Sequence, residues 1–130
     1  MPAEGKSHRI LIVEDEFLLA EMVAESLRDH GFEVRAVANA ADALRHLASG
    51  QPCDVLFTDI NLHDDVGGAQ LSRLARKLRP DLPVVYASGA ISSLDDLQAV
   101  PGASFIAKPY DPEAVCSKLA DIADMAEAAH

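Results

Sequence analysis

Basic residues are scarce in this chain: 11 Lys and Arg stand against 21 Asp and Glu, a formal net charge of −10. That deficit removes the positive footprint on which nucleic-acid binders and proteins adhering to anionic membranes depend. Cysteine is nearly absent as well. Cys53 and Cys116 lie far apart, so they read as free thiols in a reducing cytoplasm and not as a disulfide framework. No apolar run approaches the roughly 20 residues of a membrane span. The opening MPAEGKSHR has no apolar centre, unlike a signal peptide, and residues 1–7 read as a flexible lead-in. Low-complexity tracts, internal repeats and linkers are also missing, which points to one domain of ordinary globular composition.

What is present is an alternation of strand-like and helix-like patterns. RILIV (9–13), FEVRAV (32–37), DVLFT (54–58), PVVYAS (83–88) and SFIAK (104–108) have strand character, and FEVRAV alternates as a strand nearer an edge does. Helical spacing joins Leu19, Met22, Val23 and Leu27 ahead of Gly31, a stripe expected to be buried. It joins Ala40, Ala43, Leu44, Leu47 and Ala48 between a capping Asn39 and Gly50. Leu71, Leu74, Ala75 and Leu78 share a face after Gly67 and Gly68, and Val115, Leu119, Ile122, Ala123 and Ala126 share one after Pro112. ISSLDDLQAV predicts a short fourth helix begun by Ser93 and Asp96. The pattern is (βα)5: an α/β domain with a doubly wound, five-stranded parallel sheet covered on both faces. Such a sheet gathers its chemistry at the carboxyl ends of the strands.

Those ends carry Glu14 and Asp15 after the first strand, Asp59 after the third, Ser88 after the fourth and Lys108 after the fifth. Singly, each has an ordinary explanation: a strand-end Asp caps the next helix, a Ser fills a turn, a Lys is solvated. Jointly they do not, because carboxylates crowded at one edge repel unless a cation lies among them. Oxygen-only ligands suit Mg²⁺, which takes one or two carboxylates and fills its shell with water and phosphate oxygens. Lys108 then offers a point charge to a second anionic group and Ser88 a donor. The set predicts a site for a phosphoryl group and a divalent ion.

With Glu14-Asp15 in LIVEDE, Asp59 in LFTDINL, Ser88 in VVYASGA and Lys108-Pro109-Tyr110 in FIAKPYDPEAV, the chain resembles the receiver domains of two-component response regulators over residues 8–127. The resemblance implies a flavodoxin-like sheet of order 2-1-3-4-5. It implies that Asp59 accepts a phosphoryl group from a histidine of a sensor kinase or histidine phosphotransfer protein. Mg²⁺ would be held by Glu14, Asp15, Asp59 and the backbone carbonyl of Asn61, while Ser88 and Lys108 hold the phosphoryl oxygens. Ser88 and Phe105 would form the switch, and the Lys108–Pro109 peptide bond would be cis. Asn61 and Ala90 would flank the path of the hydrolytic water and tune the lifetime of the phosphorylated state. A downstream protein, or a second copy of the chain, would read the face made by the fourth helix, fifth strand and last helix. The chain itself would catalyse only its own phosphorylation and dephosphorylation.

The sequence departs from the family pattern at Glu14, where Asp is commoner, and at His63, which replaces a proline; Asp64 and Asp65 add charge beside it. The segment from Ser88 to Lys108 is short for the family. Two other α/β readings fit less well. A metal-dependent phosphatase of the haloacid dehalogenase type asks for a second Asp where Asn61 stands, and an FMN-binding module asks for a Ser/Thr/Gly-rich loop where EDEF stands. His8, His30, His46, His63 and His130 are scattered and read as surface positions. With only EAAH beyond the last helical pattern, no output domain is expected, and the output is expected to be a protein contact without nucleic acid or membrane.

Overall fold

In the computed structural model, residues 8–60, 67–88, 100–108 and 110–128 are described. They form β1 (Arg9–Val13), α1 (Phe17–Asp29), β2 (Glu33–Val37), α2 (Ala40–Ala48), β3 (Val55–Asp59), α3 (Gly68–Leu78), β4 (Val84–Ser88), β5 (Ser104–Ala107) and α4 (Pro112–Ala128). The five strands make one parallel sheet in the order β2-β1-β3-β4-β5. β3 and β4 are buried throughout, as continuous apolar runs require, whereas β2 alternates between exposed and half-buried residues on the edge.

Because side chains alternate along a strand, each strand feeds two cores. Leu11, Val13, Leu56, Val84 and Tyr86 face α2 and α3, where they meet Ala43, Leu47, Leu71 and Ala75. Ile10, Ile12, Val55, Phe57 and Val85 face α1 and α4, where they meet Val23, Ala24, Leu27, Val115 and Leu119. Leu27, Leu71 and Leu119 are completely buried, so truncating any of them to Ala costs about 2–5 kcal/mol.

Helix ends follow the sequence signals. Asn39 Oδ1 accepts from the Asp42 N–H at 2.8 Å, capping α2. Gly31, at φ 92°, lets the chain leave α1 while Phe32 N–H returns to the Leu27 carbonyl at 3.1 Å. The far end of α2 is tied by Arg79, which donates to the carbonyls of Leu47 and Gln51.

Several expected contacts fall elsewhere. Met22 is 54% exposed, and Ala20 and Ala24 line the buried face of α1 in its place. With Val23 and Leu27 they make one stripe at helical spacing, and Met22 falls on the opposite side of the helix. Ala48 and Leu78 end their helices exposed, beyond the reach of the sheet. β3 runs one residue further than the sequence pattern, taking in Asp59, whereas β5 stops at Ala107 and leaves Lys108 just outside. The helix expected between Ser93 and Val100 lies outside the described residues.

Candidate functional site

The site is assembled by the parallel register. Glu14 continues β1, its N–H donating to the Val37 carbonyl at 3.1 Å. Asp59 is the last residue of β3 and pairs with Ala87 of β4. Ser88 closes β4 opposite Ala107, and its carbonyl accepts from the Lys108 N–H at 2.8 Å. Thus β1, β3, β4 and β5 deliver Glu14, Asp59, Ser88 and Lys108 to one edge.

Burial makes this more than a charged rim. Glu14 is 5% exposed, Asp59 8% and Ser88 2%. Lys108 Nζ donates to Asp59 Oδ2 at 3.1 Å and to Glu14 Oε1 at 3.3 Å. The other Glu14 oxygen accepts from the Glu16 N–H at 3.1 Å. Burial pushes the Glu14 carboxyl above its ordinary value; the Glu16 N–H and Lys108 oppose that push, and the Asp59 charge adds to it. For Lys108, burial works against the ammonium, but the hydrogen bond and charge of Asp59, then those of Glu14, outweigh it and the net shift is upward. The cation is therefore held firmly charged among acids.

Asp15 completes the group. Oxygen atoms of Glu14, Asp15 and Asp59 all lie within 4.8 Å of one another. The donors are all carboxylate oxygens, with no imidazole or thiolate in the set, which fits a hard cation such as Mg²⁺. The sequence reading of Glu14, Asp15, Asp59, Ser88 and Lys108 as neighbours at one sheet edge agrees with this geometry. Phe105 sits one layer below, half-buried, its ring 5.1 Å from that of Tyr86. Asn61, Ala90 and Pro109, and with Pro109 the peptide bond after Lys108, lie outside the described residues, as do His63, Asp64 and Asp65.

Three features escaped the sequence reading. Gly68 opens α3 against the backbone of the acidic strand: a Cβ there would stand 2.3 Å from the Asp59 carbonyl oxygen and 2.8 Å from Ile60 Cα. Tyr110 packs its ring 5.9 Å from Phe57, and burial, then the charges of Glu14, Asp59 and Glu16, push its phenol well above the ordinary value. Phe17 and Leu18 are 72% and 75% exposed at the start of α1, directly after Glu14-Asp15-Glu16. The histidines are also less uniform than their scatter suggests: half-buried His8 bonds Asp124 at 2.9 Å and stacks on Phe32.

A family model for the response regulator receiver domain matches residues 10–120. The regulatory protein VirG of Agrobacterium tumefaciens is 36% identical over 104 residues, covering 78% of this chain and 38% of that protein. The transcriptional regulatory protein CreB of Escherichia coli is 30% identical over 112 residues, covering 85% of this chain and 48% of that protein. The chain spans about half the length, or less, of the curated relatives it matches. Among solved structures, a response regulator receiver protein from Sinorhizobium medicae superposes with a TM-score of 0.84 at 30% identity, covering 93% of this chain and 98% of that one. A CheY-like receiver domain protein from Methanospirillum hungatei gives 0.83 at 27% identity, covering 96% and 100%. No helix among the described residues is long and apolar enough to cross a membrane.

Proposed function

Because this chain belongs to the response regulator receiver-domain family of two-component signalling, we propose that Asp59 accepts a phosphoryl group from a phosphohistidine on a sensor kinase or phosphotransfer protein. The observation that carries this reading is the convergence of Lys108 on Asp59 and Glu14, at 3.1 and 3.3 Å, beside Asp15. A carboxylate oxygen of Asp59 attacks the phosphorus, the P–O bond forms as the P–N bond breaks, and the histidine leaves as imidazole. Glu14, Asp15, Asp59 and the carbonyl of Asn61 would hold Mg²⁺, which when bound offsets negative charge on the transferring group. Lys108 supplies an ammonium to one phosphoryl oxygen and Ser88 a hydroxyl donor to another. The near-complete burial of Asp59 and Ser88 limits water at the reacting centre, which suits a phosphorylated state that must outlive its formation.

The domain so defined covers residues 8–127 and acts on itself, with no outside substrate to turn over. Ser88 and Phe105 carry the switch, and a protein reads it on the face that includes β5 and α4. The phosphodonor protein docks on the opposite side of the site, over Phe17, Leu18 and Met22, large apolar side chains that α1 exposes next to the acidic cluster. Asn61 and Ala90, two residues after Asp59 and Ser88 in the sequence, are the positions we propose set how fast the acyl phosphate is lost. Neither the phosphatase nor the flavin-binding reading gains support: buried Glu14 occupies the loop where a flavin phosphate would sit.

The test is direct. Incubation with acetyl phosphate and Mg²⁺ should add one phosphoryl mass, and a chelator or Asp59→Asn should abolish it. Labelling of Asp59→Asn at the rate of the parent would sink the proposal.

A further inference from the structure

Tyr86 is the largest of the fully buried side chains and carries a hydroxyl into the core between β4 and α3. Its neighbours leave little choice over where the proton lies. Ser72 Oγ donates its one proton to the Ala69 carbonyl at 2.7 Å. Its hydrogen bond with the Tyr86 hydroxyl is therefore donated by Tyr86. The same phenolic oxygen accepts from the Val100 N–H at 3.1 Å. The result is a one-way chain: Val100 N–H to Tyr86, Tyr86 to Ser72, Ser72 to Ala69. Bonds aligned this way polarise one another, and breaking one weakens the next.

The ring of Tyr86 has a second role. In the sheet it pairs with Thr58 on one side and Phe105 on the other. Its ring lies 5.1 Å from that of Phe105 at 38°, and it stands two residues before Ser88. Any rearrangement of Phe105 changes the packing on the Tyr86 ring. The ring cannot yield freely, because its hydroxyl is bonded at both ends, to α3 and to the stretch entering β5.

We propose that Tyr86 is a positioning residue that couples Phe105 to α3, so that phosphorylation is read on α3 as well as on the β5 side. This rests on the reading of Asp59 and Phe105 given above and extends it to a surface that reading does not include. In the sheet Tyr86 pairs with Thr58, one residue before Asp59, and it acts through Phe105 and Ser72. The aromatic ring alone would suffice to fill the core, so the hydroxyl is the part that transmits.

The experiment is an NMR comparison of amide shifts with and without Mg²⁺ and beryllofluoride, a phosphoryl mimic. It is run on the parent, Tyr86→Phe and Ser72→Ala. The readout on α3 is residues 74–78, since the first turn contacts Asp59 directly through Gly68. In the parent, residues 74–78 and 104–108 should both respond. In each variant the response at 104–108 should persist while that at 74–78 is lost. Ser72→Ala keeps the whole tyrosine, so it gives the answer even where Tyr86→Phe folds poorly. Persistence of the 74–78 response in the variants overturns the coupling, as does a parent that responds at 104–108 alone. A parent that responds nowhere overturns the Asp59 reading, and the coupling with it.

Discussion

Lys108 Nζ lies 3.1 Å from Asp59 Oδ2, across a separation of 49 residues, and the same ammonium reaches Glu14 Oε1 at 3.3 Å. Two nearly buried carboxylates therefore share one cation. Replacing Lys108 with Met leaves both facing each other without it, which should destabilise the fold by about 1–3 kcal/mol in the absence of metal. Asp59→Asn should cost much less, because it removes one of the repelling charges and leaves Lys108 paired with Glu14. Urea unfolding of both variants in chelator decides the order; equal losses would contradict the shared-cation account.

Magnesium should raise the melting temperature of the parent. A ligand bound only by the folded state at 100 times its dissociation constant stabilises by about 2.7 kcal/mol. Asp15→Asn, which removes one of the three clustered carboxylates, should weaken that response. Thermal melts across a magnesium series provide the check.

Gly68→Ala and Gly67→Ala should behave differently although the residues are adjacent. A Cβ at Gly68 meets Asp59 and Ile60 backbone at 2.3 and 2.8 Å, whereas one at Gly67 meets only the Ile60 carbonyl, at 3.6 Å. Backbone cannot rotate aside as a side chain can. Gly68→Ala should lose about 1–3 kcal/mol and slow phosphorylation by acetyl phosphate, with Gly67→Ala close to the parent on both counts.

Leu18→Ser should separate the two phosphodonors. The side chain is exposed at the start of α1, so the change should leave labelling by acetyl phosphate intact and reduce transfer from a cognate phosphohistidine protein. A variant that slows both equally would place the defect in the site and not in docking.

His46 should make stability fall on acidification. Its pKa is lowered from 6.5, first by burial and then by the charges of Arg35 and Arg79. A depressed histidine contributes stability that is complete above 6.5, its unfolded value, and is lost as pH falls toward the lower folded value. His46→Gln should flatten the urea midpoint between neutral pH and the region below 6.5; an unchanged slope would show that other groups dominate.

The sheet and the polar edge were legible in the sequence because both follow from alternation. Apolar runs broken at regular intervals fix a parallel sheet, and the residue after each run lands at the same edge. Asn39 and Gly31 announced their helix ends through their own chemistry. What stayed hidden depends on distance and not on residue type. Met22 looks like core, but the structure centres the buried stripe of α1 on Ala20, Val23, Ala24 and Leu27, which turns Met22 to the far side of the helix. Tyr86 reads as one more apolar residue of β4, since its bonds to Ser72 and Val100 join positions 14 apart in opposite directions. Gly68 reads as a flexible entry to α3, and its contact with the Asp59 backbone is visible only in three dimensions.

The strand order has a consequence for the life of the chain before it is complete. Glu14, Asp59 and Lys108 arrive from β1, β3 and β5, and Lys108 lies 94 residues beyond Glu14. Each parallel pairing must wait for a long stretch of chain to be ordered, and such non-local contacts form late. No fragment lacking the last strand holds the ammonium, and none lacking the first holds the acidic pair. A nascent chain, or a fragment missing either of those strands, therefore cannot bring Glu14, Asp59 and Lys108 together. The shared cation is in this way a marker of a sheet complete from its first strand to its last.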